Sequence, residues 1–74
     1  MKTEKLKEYD VVALLKEMPD QKLLRGQVGT IVHQYTETDF EVEFADTKGV
    51  AIATVTLKSE DLILLHHEME YVGK

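Results

Sequence analysis

Asp39-Phe40-Glu41-Val42-Glu43-Phe44 alternates acidic and apolar side chains without a break. Successive side chains of an extended strand point to opposite faces, so Phe40, Val42 and Phe44 read as a buried face and Asp39, Glu41 and Glu43 as a wet one. Polar connections stand on either side. Thr36 to Asp39 reads as one hairpin turn, and Asp46, Thr47, Lys48 and Gly49 as a second, with Gly49 open to a positive φ.

The pattern extends in both directions from this strand. Upstream, Gly26-Gln27-Val28-Gly29-Thr30-Ile31-Val32 places glycines at the entry of a β-branched run; Gly26 reads as a structural turn, and Gly29 as a bulge or a close backbone approach. Downstream, residues 50–57 form a further strand, in which Ala51 and Ala53 leave room where sheet walls come close. Lys58 to Asp61 reads as a single helical turn with Ser59 able to cap it, and residues 62–65 as a short last strand. At the other end, residues 9–15 fit a strand, while Leu6, Tyr9 and Ala13 also suit an amphipathic helix over 5–18; the β context downstream favours the strand. Between them, Pro19 and Asp20 mark a loop over 16–25 that arches across one end, with Leu23 or Leu24 tucked beneath.

Five short strands, a long first loop, two hairpins and one helical turn before the last strand describe an all-β, SH3-like five-stranded barrel, an order that a generic small meander also satisfies. The expected organisation is a flexible lead-in over residues 1–8, the barrel over 9–66 and a polar tail over 67–74. At 74 residues the chain holds at most one small domain, and its 43% apolar content suffices for a core. There is no cysteine, which removes disulfides, thiolate nucleophiles and cysteine-bound zinc, and makes a reducing cytoplasm the expected compartment. No apolar run approaches the roughly 20 residues of a membrane helix, and no apolar stretch follows the basic residues of the N-terminus as in a secretory signal.

Residues 10–14 (Asp-Val-Val-Ala-Leu), Pro19, Leu24, residues 26–32, residues 41–44 (Glu-Val-Glu-Phe), Asp46, Gly49 and Thr56-Leu57 together closely resemble a bacterial family known as domain of unknown function 4926, over roughly residues 9–64. The resemblance implies an SH3-like barrel in a small cytoplasmic bacterial protein, and it implies no activity, ligand or functional residue. A second likeness joins residues 26–32 to the glycine-containing segment of KOW modules, which use basic loops on RNA or protein partners. Here the nearby basic residues are only Lys22 and Arg25.

The net charge is −5 and unevenly spread: residues 1–26 carry six basic against five acidic side chains, and residues 27–74 three against nine. Such a surface repels a polyanion, so nucleic acid is a disfavoured partner and a basic protein a favoured one. Asp39, Glu41 and Glu43 form the candidate docking row, matched in exposure on an open wall rather than poised as a catalytic pair in a cleft. Tyr9 and Tyr35 are candidate groove residues beside the 16–25 loop, with Arg25 a further binding candidate. His33, His66 and His67 with Glu68 and Glu70 suggest a metal, but adjacent strand residues face opposite ways, and the expectation is no metal site and no cofactor. Neither Ser59 nor the glycines match a nucleophile elbow or a phosphate loop, so no catalytic residue is assigned.

The first expectation is therefore a non-enzymatic SH3-like interaction module that binds through the acidic Asp39 to Glu43 face or the 16–25 loop, an acidic partner or an antitoxin- or immunity-like inhibitor of a basic protein. A KOW-like RNA or ribosome-associated module using Lys16, Lys22 and Arg25 is the second. A structural homo-oligomer pairing exposed strand edges is the third.

Overall fold

The structure, a computed structural model, describes residues 5–46 and 48–65. Five antiparallel strands form one sheet: β1 (Val11–Leu14), β2 (Val28–Gln34), β3 (Asp39–Ala45), β4 (Ala51–Lys58) and β5 (Leu62–Leu64), in the order β4-β3-β2-β1-β5. The only helical pieces among the described residues are 3₁₀ turns at Pro19–Gln21 and Ser59–Asp61. The first segment is a strand and not the alternative helix, because β1 is sandwiched between β2 and β5 and satisfies its backbone on both sides.

The edge strands share no ladder, so the sheet is curled but not closed into a barrel by hydrogen bonds. The curl follows from connectivity. Lys58 ends β4 level with Asp39, whereas Leu62 starts β5 level with Leu14, at the opposite corner of the sheet. A flat sheet would hold β4 and β5 about 19 Å apart across four strand spacings. The four residue steps from Lys58 to Leu62 reach at most about 14 Å. The Ser59–Asp61 turn therefore draws the two corners together: Ser59 donates its N–H to the Thr38 carbonyl at 2.8 Å, and the Asp61 carbonyl accepts from Leu15 N–H at 2.8 Å.

Curling encloses one core of Val12, Leu14, Leu23, Ile31, Phe40, Val42, Phe44, Leu57 and Leu62, with no buried polar side chain among the described residues. One row crosses all five strands, Leu64-Val12-Gly29-Phe44-Ala53. Its large and small members fit together. A Cβ on Gly29 would stand 2.8 Å from the Phe44 ring and 2.9 Å from the Glu43 carbonyl oxygen, so the position requires a residue without one.

Some local expectations hold and others are corrected. Of the two readings of Gly29, the close approach holds; the extra residues are Val32 on β2 and Ile52 on β4, where the registers shift. Ser59 does not cap its turn. Asp61 does so by reaching back, its carboxylate accepting the Lys58 N–H at 3.1 Å. Of the expected lead-in, residues 5–8 are described: Lys5, Lys7 and Glu8 are exposed, while Leu6 packs on the core and Glu8 accepts from the Gln34 N–H. The 16–25 loop folds on itself through the Met18–Leu23 bridge, which buries Leu23 and leaves Leu24 exposed. Gly26 and Gly49 take the positive φ expected of turns. Residues 1–4 and 66–74, including the expected tail and His66, His67, Glu68 and Glu70, lie outside the described residues.

Gly29→Ala is expected to destabilise the fold by about 1–3 kcal/mol, the usual cost of overpacking a core. Urea denaturation of the two proteins measures it, and equal midpoints would show that Phe44 does not press on this site.

Candidate functional site

With the interior wholly apolar, polar chemistry is confined to the outer face and rim. The outward row of β3 holds Asp39, Glu41 and Glu43, as its alternation requires, but their surroundings differ. Asp39 lies opposite Lys58, whose ammonium it meets at 2.9 Å, and it also accepts the Thr36 hydroxyl at 2.7 Å. Glu41 lies between His33 and Thr56, and accepts the Tyr35 hydroxyl at 2.5 Å. Glu43 lies between Thr30 and Thr54. The row is thus not matched in exposure: Asp39 and Glu41 are half-buried and Glu43 is exposed. Only Asp39 faces a cation across the sheet.

The Val32 bulge decides part of this arrangement. By shifting the register it sets His33 against Glu41. His33 then packs edge-on against Tyr35 at 4.6 Å between ring centres, and its Nδ1 lies 3.5 Å from the Glu8 carboxylate. A chain of side chains, Glu8-His33-Tyr35-Glu41, therefore ties the start of the described chain to the middle of the outer face.

Tyr9 and Tyr35 are both exposed but flank no groove beside the 16–25 loop. Tyr9 bonds to Ile31 and Tyr35 follows β2, which places both at the other end of the β1–β2 ladder from that loop. An open groove of about 360 Å³ lies instead against the Ser59–Asp61 turn, lined by Lys16, Asp39, Thr56, Leu57, Lys58, Glu60 and Asp61. Its lysines are engaged within the chain, Lys58 by Asp39 and Lys16 by Asp61 at 3.4 Å, leaving Glu60 as its uncompensated charge among the described residues. Of the basic residues suited to an RNA contact, Lys16 is thus occupied, while Lys22 and Arg25 are exposed on the loop. No group of three or more metal-ligating side chains occurs among the described residues.

The family model described as Domain of unknown function (DUF4926) matches residues 8–64. The chain belongs to this family. The match begins at Glu8 and ends at Leu64, so it takes in every strand, the 16–25 loop and the groove. Comparisons with curated proteins and with solved structures gave no match. No helix of the described residues is long and apolar enough to cross a membrane.

Sequence reading missed Thr36, Lys58, Glu60 and Asp61 as members of the site. The Thr36-Glu37-Thr38-Asp39 spacing carries a signal for the first, because a hydroxyl three residues before a carboxylate folds back on it; Thr36 Oγ1 also accepts the Thr38 and Asp39 N–H groups. Lys58 stands 19 residues from Asp39, so only the β3–β4 register reveals their pairing.

The Thr36 hydroxyl, followed by Lys58, holds the Asp39 carboxyl below its ordinary value, and Asp39 in turn raises Lys58. The stabilisation due to Asp39 is present above the ordinary aspartate value and lost as pH falls through the lower folded one. The stability difference between wild type and Asp39→Asn is thus expected to shrink on acidification; a difference independent of pH would contradict the pairing. Hydrogen bonding to Glu41 raises the Tyr35 phenol. Glu41→Gln is expected to lower the Tyr35 titration midpoint measured by NMR.

Proposed function

We propose that this chain is a non-enzymatic, SH3-like interaction module of the reducing cytoplasm, which docks a basic protein on its outer acidic face. The observation that carries this reading is the placement of Glu41 and Glu43, whose cross-strand neighbours are His33, Thr56, Thr30 and Thr54 and include no lysine or arginine. Two carboxylates in the middle of an open β surface attract a partner's Lys or Arg, setting orientation and association rate more than affinity. The SH3-like assignment is supported by the strand order, the strong curl, the loop after β1 and the 3₁₀ turn before the last strand. The non-enzymatic reading is supported by the groove, whose lysines are held by its own carboxylates rather than left to act on a substrate. An inhibitor of a basic enzyme, occupying that enzyme's anion site with this face, is the specific form the charge suggests.

Glu43 is the residue to reverse, because Glu41 also holds Tyr35 and its substitution would disturb the surface itself. Tagged wild type incubated with nuclease-treated host lysate is expected to retain a basic protein at low salt and release it at high salt. Glu43→Lys is expected to lose that protein while keeping wild-type stability. Equal retention by the two proteins would refute the acidic-face reading, and recovery of ribosomal components only from untreated lysate would replace it with an RNA-binding one.

A further inference from the structure

The free edge of β4 is built for pairing. Tyr35 N–H bonds to the Asp39 carbonyl, so Asp39 directs its backbone toward β2, and by alternation Glu41 and Glu43 do the same. Phe40, Val42 and Phe44 therefore bond to Leu57, Val55 and Ala53 of β4. It follows that Thr54 and Thr56 direct both N–H and C=O away from β3, to the edge where no described strand lies. Lys58 N–H points the same way and is taken by Asp61, which ends the open run.

Exposed edges are normally blunted by brevity, charge, proline or a bulge, and β4 has only the last of these, at Ile52 near its start, which leaves residues 53–57 regular. β5, the other edge, is three residues long. β4 is eight residues long, and from Gly49 to Leu57 it has neither a charged residue nor a proline. Val50 and Ile52 are exposed at one end of it. β2 is uncharged too, but it is an interior strand with a neighbour on each side.

We propose that β4 pairs antiparallel with β4 of a second copy, about a two-fold axis at Thr54, joining the two sheets into one of ten strands. A second copy fits because the edge is self-complementary. In this register Thr54 meets its own counterpart and Ala53 meets Val55, with the Ile52 bulge marking where the regular ladder ends on each copy, so no like charges are opposed along the paired run. The ends match as well. Antiparallel pairing brings the hairpin carrying Lys48 on one copy to the groove end of the other, where Glu60 is the uncompensated charge. Pairing edge to edge leaves the outer face of β3 open, so this proposal stands independently of the docking reading.

Sedimentation of the full chain over a range of concentrations tests it with two variants. Thr54→Pro removes an N–H that serves only the intermolecular ladder. Thr54→Lys puts a lysine beside Glu43 within its own chain and opposes two lysines across the axis. Wild type is expected at twice the 8.5 kDa chain mass, and both variants at the single mass with an unchanged β circular-dichroism spectrum. In wild type alone, amide exchange at Thr54 and Thr56 should slow as concentration rises, a readout that holds even if a variant fails to fold. Wild type that stays monomeric with fast exchange at Thr54 and Thr56, dimers that persist in a folded variant, or open-ended polymers would each overturn the proposal.

Discussion

The rest of this molecule depends on a short connection between two corners of a sheet. β4 and β5 are opposite edges, yet only Ser59–Asp61 joins them, so the sheet has to curl until those corners meet. Asp61 holds the junction in three ways: its carboxylate takes the Lys58 N–H and pairs with Lys16, and its carbonyl takes the Leu15 N–H. The same curl brings inward-facing residues from all five strands into one apolar cluster, which a chain this short needs in order to fold without disulfides.

The curl has a steric condition and a functional consequence. The Phe44 ring leaves no space for a side chain at its cross-strand neighbour, position 29, hence glycine there, while its neighbour on the other side is the small Ala53. Because apolar residues fill the inside, every carboxylate and lysine of the described chain is left on the outer face, the rim or the loops. Function is therefore a matter of surfaces. On the outer face charge is partly cancelled at Asp39–Lys58 and left standing at Glu41 and Glu43; along the β4 edge as far as Leu57 charge is missing.

Much of the fold was legible because its signals are local. The alternation over 39–44, the turn residues at 36–39 and 46–49, and the Ser59–Asp61 turn each specify structure within a few residues. The resemblance to the family whose model matches 8–64 was legible too, in residues spread over the same stretch. What was not legible depends on register. A bulge at Val32 rather than Gly29 leaves no mark in composition, since both positions suit a β-branched, glycine-containing strand. The capping role passed from Ser59 to Asp61 because the chain enters the turn in an extended conformation from which the carboxylate, two residues further on, reaches back to Lys58. The acidic row was found, but its unequal members were not, because Lys58 and Tyr35 reach Asp39 and Glu41 only once β2, β3 and β4 are aligned.

Native-state hydrogen exchange at two amides tests the corner junction most directly. The Leu15 and Ser59 N–H groups bond to Asp61 and Thr38 at the two ends of the Ser59–Asp61 connection, one step beyond the last pairs of the β1–β5 and β3–β4 ladders. If the turn fastens the curled sheet, both amides exchange as slowly as the ladder amides of β1 and β3, opening only with global unfolding. Rapid exchange at Leu15 and Ser59 while those ladders stay protected would show that the corners come apart freely, and would contradict the account.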